Sequence, residues 1–162
     1  YLKENGYAEN VKSLMFWAGF GILIGTLIAG FIGDKLGEKK TFVYSLLLSL
    51  LFLFPVFYLP ENNVLALGAL LFFLLATNLG IAGLVPKYMA TFFLAEMRST
   101  GIGFIYNFAA IGGGVAPVIA AKLSERVGLG SALVYVTLFW TIVLVALVGL
   151  RLPERIQARM QQ

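Results

Sequence analysis

The sequence has 162 residues, 60% of them hydrophobic and 12% charged, with a formal net charge of +4 and a mean hydropathy of +0.90. That balance excludes an ordinary soluble domain, and the lack of any cysteine or histidine excludes disulfide frameworks, thiol or serine–histidine catalysis and most zinc sites, so no enzyme, cofactor or metal is expected. The basic residues lie scattered between apolar runs, a pattern that marks membrane faces and offers no surface for nucleic acid.

The chain opens at Tyr1 without an initiator methionine or a signal-peptide pattern and reads as a piece of a longer protein. Residues 1–13, with Lys3, Glu4, Glu9 and Lys12, form a polar outer loop. Five apolar spans follow, each long enough for the roughly 20 residues that a bilayer crossing needs, at 14–33, 41–59, 64–94, 99–121 and 127–150. The expected fold is therefore all-α, a polytopic membrane helix bundle in contact with the lipid bilayer.

In the first span Gly21 and Gly25 make a small-xxx-small spacing that lets another helix come close to the backbone. The second span is dense in Leu and Phe and is expected to face lipid. The third, if it were one straight helix, would be roughly 45 Å long at 1.5 Å per residue. A hydrocarbon core of about 30 Å cannot match it, so a break is expected near Gly80, Gly83 and Pro86. The fourth carries Gly112, Gly113, Gly114 and Pro117, a weakened helix suited to bending, and Lys122, Glu125 and Arg126 are read as the loop after it. The tail, 151–162, repeats Arg151, Arg155 and Arg159 every four residues. It is either a basic face for anionic headgroups or a plain solvated end.

Between the first two spans lies Gly30-Phe31-Ile32-Gly33-Asp34-Lys35-Leu36-Gly37-Glu38-Lys39-Lys40. Counted with Arg98 and the tail, this face holds Lys35, Lys39, Lys40, Arg98, Arg151, Arg155 and Arg159, against Lys3, Lys12, Lys122 and Arg126 on the other. The positive-inside rule then puts the N-terminus outside and the C-terminal tail in the cytoplasm.

The Gly30–Lys40 stretch resembles the loop signature of the major facilitator superfamily: Gly, three residues, Asp, a basic residue, any residue, Gly, any residue, two basic residues. Gly30, Asp34, Lys35, Gly37, Lys39 and Lys40 fill those places, and Glu38 departs from a position that is often basic. A second stretch, Thr91 to Phe104 with Tyr106, Asn107 and Gly113 to Pro117, is similar to the tenth-to-eleventh helix junction of bacterial sugar, sialate and organic-acid proton symporters. Thr91, Leu94 and Ala110 depart from it, where relatives commonly carry an acid, a proline and an arginine. The resemblance implies helices eight to twelve of a transporter in the bacterial cytoplasmic (inner) membrane, without its seventh helix and N-terminal half.

The resemblance also implies a gate in the first loop, which latches the inner face, and Asp34 is expected to pair with Arg98 on the same side. The plainer reading makes Asp34 a solvated helix end. Asn78, Asn107 and Tyr106 are candidate substrate contacts, or else interhelical hydrogen-bonding groups. Lys87 either snorkels to the interface or contacts an anionic solute. No Asp or Glu sits mid-span, so a proton carrier is expected elsewhere in the parent protein. The reading is a secondary transporter of a small-molecule solute, a sugar or organic anion, with a proton as coupling ion. The alternative is a sensor or scaffold of the same fold that binds without transporting.

Overall fold

The computed structural model describes residues 2, 3, 6–58 and 63–150. The arginines of the tail and the Leu59–Asn62 part of the second turn lie outside the described residues. Among the described residues there are six α-helices: α1 (Val11–Leu36), α2 (Glu38–Tyr58), α3 (Val64–Asn78), α4 (Val85–Ala90), α5 (Arg98–Val127) and α6 (Leu129–Gly149). Short 3-10 turns at Ala8–Asn10, Gly80–Leu84 and Ala95–Met97 join them. Five stretches of the described residues are long and apolar enough to cross a membrane, the third being α3, the Gly80–Leu84 turn and α4 together. The protein is an all-α, polytopic membrane helix bundle.

Contacts divide the chain into two compact units, Tyr1–Leu84 and Val85–Gln162. In the first, α1 packs along α3 and the Gly80–Leu84 turn, and α2 packs on α3. The buried face of α1 is Leu14, Ala18, Gly21, Gly25, Ala29 and Gly33, a stripe of small residues at helical spacing. In lipid no hydrophobic effect pulls helices together, so close van der Waals approach has to do it. Here the approach is backbone to backbone. A Cβ on Gly21 would strike the Phe72 carbonyl, and one on Gly25 the Ala76 carbonyl. From the other side, a Cβ on Gly80 would lie 2.7 Å from the Gly25 carbonyl carbon.

The third span stops being α-helical at Asn78. The turn over Gly80–Leu84 buries Gly80, Ile81 and Leu84, and a Cβ on Gly83 would sit 2.6 Å from Thr26 Cγ2. The break thus takes in Gly80 and Gly83 but not Pro86, which lies in α4, and α1 packs against it. At its other end α3 is capped by Asn63, whose side-chain oxygen accepts from the Ala66 amide at 3.1 Å. The Leu- and Phe-rich α2 is not wholly lipid-facing: Thr41, Phe42, Leu46, Ser49, Leu53 and Val56 are buried.

In the second unit α5 pairs with α6, with α4 and the Ala95–Met97 turn at the start of α5. Helix α5 runs unbroken through Gly112–Gly114 and Pro117. Lys122, Glu125 and Arg126, read from sequence as a loop, are its last helical turns. Hydropathy marks where hydrocarbon ends; a helix continues until something stops its hydrogen-bond ladder, here Gly128 at φ 81°. The same difference holds at α1 and α2, whose helices extend beyond 14–33 and 41–59 to include Lys12, Asp34, Lys35 and the Lys39–Lys40 pair.

Candidate functional site: the Gly30–Lys40 corner and the polar residues of the spans

The loop between the first two spans is a single residue. Helix α1 ends at Leu36, α2 begins at Glu38, and Gly37 between them takes φ 87° and ψ 144°, a conformation open essentially to glycine alone. Its amide donates to the Gly33 carbonyl at 2.9 Å, and its own carbonyl accepts from the Thr41 amide at 3.2 Å and the Thr41 hydroxyl at 3.1 Å. The charges of the corner are therefore carried on two helix ends rather than on a flexible loop. Asp34 and Lys35 are exposed on the last turn of α1, and the Lys35 ammonium stands 4.4 Å from the centre of the Phe31 ring, a cation–π contact. Glu38 stands in the first turn of α2, where a negative charge complements the helix dipole. That supplies a local reason for an acid in a place often basic. Lys39 is half-buried and Lys40 exposed.

Of the glycines here, Gly30 has open space around it, whereas Gly33 is the packed one: a Cβ there would lie 2.6 Å from Leu84 Cδ2. The corner is thus seated directly on the end of the helix break. Gly33 is not one of the positions of the loop signature; its place four residues beyond Ala29 on the small-residue stripe is the signal for it. Arg98, the expected partner of Asp34, begins α5 in the second unit and is exposed.

Asn78 is half-buried at the end of α3, and its amide nitrogen donates to Ser49 Oγ of α2 at 3.1 Å. Ser49 is 1% exposed and donates in turn to the Leu46 carbonyl at 2.7 Å. A polar chain from α3 to α2 is what this asparagine makes. Ser49→Ala is expected to lower stability by about 0.6 kcal/mol, the average for interhelical hydrogen bonds in membranes, as measured by unfolding in detergent.

Asn107 is exposed on α5, and its amide donates back to the Gly103 carbonyl at 2.9 Å. Tyr106 beside it is 44% exposed, and Lys87 is exposed on α4. Nearby, a groove of 620 Å³ between α5 and α6, lined by Phe108, Ile111, Gly112, Ala116, Trp140 and Leu144 among others, is almost wholly apolar. It does not suit a polar solute. Among the described residues no three His, Cys, Asp or Glu side chains come together to hold a metal ion.

At the junction before α5, Leu94 takes φ −60° and ψ 149°, a backbone that proline would adopt unchanged. The leucine found where relatives commonly have proline therefore keeps the turn. The Phe93 ring covers Gly101 so closely that a Cβ there would strike it, and the Thr91 hydroxyl donates to the Tyr88 carbonyl at 2.7 Å.

Comparison with known proteins agrees with this architecture. The chain is 46% identical over 157 residues to the sialic acid transporter NanX of Escherichia coli K12, covering 96% of this chain and 39% of that protein. It is 34% identical over 141 residues to the inner membrane metabolite transport protein YhjE of the same organism, covering 83% of this chain and 31% of the relative. A cis,cis-muconate transport protein of Acinetobacter baylyi is 32% identical over 112 residues, 67% of this chain and 26% of its own. The chain thus spans well under half the length of these relatives. No solved structure matches it. A family model described as Major Facilitator Superfamily matches residues 2–159, and the chain belongs to that superfamily.

Proposed function

We propose that the chain supplies helices eight to twelve of a secondary transporter that moves a small polar solute, a sugar or organic anion, by alternating access with proton coupling. The observation that carries this reading is the 46% identity, over 96% of the chain, to a protein named as a sialic acid transporter. The muconate transport protein, a second relative named for a carboxylated solute, points the same way. Accumulation of labelled sialic acid by proteoliposomes containing the complete transporter is the test. Uptake driven by an inward proton gradient and abolished by a protonophore is expected. Failure to take up sialic acid or any other sugar or organic anion overturns the reading, and uptake indifferent to protonophore overturns the coupling alone.

On the same proposal the Gly30–Lys40 corner is a gate element at the cytoplasmic face, with Asp34, Lys35, Lys39 and Lys40 as its charges and Arg98 among the charges on that side. Asn78, Asn107, Tyr106 and Lys87 remain the candidate solute contacts. A gate residue alters the rate of interconversion more than the binding of solute. Asp34→Asn is therefore expected to lower the maximal uptake rate by about three- to tenfold, equivalent to about 0.6–1.4 kcal/mol for an exposed polar contact, and to leave KM within about twofold. Unchanged turnover in proteoliposomes removes Asp34 from the gate.

A further inference from the structure

The chain turns the same corner twice. Gly33-Asp34-Lys35-Leu36-Gly37 closes α1, and Ser124-Glu125-Arg126-Val127-Gly128 closes α5: small, acidic, basic, apolar, glycine in both. The backbones match as well as the residue types. Gly37 has φ 87° and ψ 144°, and Gly128 has φ 81° and ψ 154°. Each glycine amide donates to the carbonyl four residues back, Gly33 or Ser124, at 2.9 Å. Each glycine carbonyl accepts the amide four residues on, Thr41 at 3.2 Å and Ala132 at 3.0 Å. In both, the next helix begins at the following residue, and the acid and base stand exposed on the last turn of the preceding one.

Three segments long and apolar enough to cross a membrane separate the corners, and the topology expected from the charge pattern assigns an odd number of crossings to opposite faces. The match stops at the glycine. Glu38-Lys39-Lys40 follows the first, whereas Leu129-Gly130-Ser131 follows the second, without the extra cations that a cytoplasmic face attracts. What the two share is thus the charged helix end and its glycine stop, and what differs follows the charge pattern that the positive-inside rule expects.

We propose that the Ser124–Gly128 corner is the opposite-face counterpart of the gate, with Glu125 and Arg126 acting there as Asp34 and Lys35 do at the first corner. Glu125 faces a depression of 480 Å³ lined with Lys122 and Arg126, so this helix end presents a mixed-charge surface to whatever closes upon it. The proposal rests on the gate reading of the first corner. It makes the two corners antagonists: charges at one stabilise the state closed on that face, charges at the other the state closed on the opposite face.

Hydrogen exchange of the complete transporter in detergent, without solute, tests this. Asp34→Asn is expected to speed exchange over residues 88–97, on the face of the first corner, by about two- to fivefold and to slow it over residues 64–70 on the other face. Glu125→Gln is expected to do the reverse, and Glu125→Asp to restore the parental pattern. A merely structural Glu125 would raise exchange around residues 120–130 only, and that result overturns the counterpart role, as does a shift in the same direction as Asp34→Asn. If Asp34→Asn itself moves neither segment, the gate at the first corner fails and the counterpart fails with it. If only Glu125→Gln is silent, the first gate stands alone.

Discussion

Gly25→Val is expected to unfold the packing of the first unit, lowering stability by about 3 kcal/mol or more in detergent unfolding, at the upper end for overpacked interiors. The reason lies in what the new side chain would meet. A Cβ on Gly25 strikes the Ala76 backbone, and a Cβ on Gly80 of the same partner segment would in turn meet the Gly25 backbone. Neither obstacle is a flexible side chain that could swing away, so α1 and α3 must separate along the stripe that holds them. Close approach is the main source of association for helices in lipid, so separation forfeits it without compensation. Gly19 provides the contrast. A Cβ there meets nothing within 4 Å, and Gly19→Ala is expected to be neutral or to stabilise by up to about 1 kcal/mol through helix propensity. Equal stability of the two variants would show that the stripe does not hold the helices together.

The stripe itself was legible in the sequence, because Gly21 and Gly25 recur at helical spacing in an uncharged span. Its partner was not. A small-xxx-small spacing says that one face of a helix is thin; which helix meets it depends on Ala76 and Gly80, more than fifty residues beyond Gly25 in the chain. The break in the third span followed from its length against that of the bilayer, and the structure puts it over Gly80–Leu84. Helix ends were less legible, since Lys122, Glu125 and Arg126 signal the edge of the hydrocarbon while the hydrogen-bond ladder runs on to Val127. Gly128 was lost in consequence, and with it the likeness of the two corners. Ser49 was passed over because it sits among leucines; only the fold brings Asn78 to it, 29 positions along the chain.

Gly37→Ala is expected to slow transport by more than Asp34→Asn does and to destabilise the protein by about 1–3 kcal/mol, the range for a side chain forced into a sparsely populated backbone region. At φ 87° and ψ 144° a Cβ is strained whatever space surrounds it, and around Gly37 the space is open, so strain alone is at issue. The chain can relieve it only by rotating the glycine position. That rotation breaks the amide bond to Gly33 and misaligns the carbonyl that accepts both the Thr41 amide and hydroxyl, so α1 and α2 no longer leave the corner at a fixed angle. Asp34, Lys35, Lys39 and Lys40 ride on those two helix ends and are displaced together, whereas Asp34→Asn removes one charge from an intact frame. The difference is measurable as maximal uptake rate in proteoliposomes alongside exchange of the Thr41 amide. Gly37→Ala is expected to accelerate that exchange and Asp34→Asn to leave it unchanged. A Gly37→Ala protein with parental uptake and a protected Thr41 amide would mean that the corner tolerates a side chain, and the rigid frame proposed for the gate charges would fall.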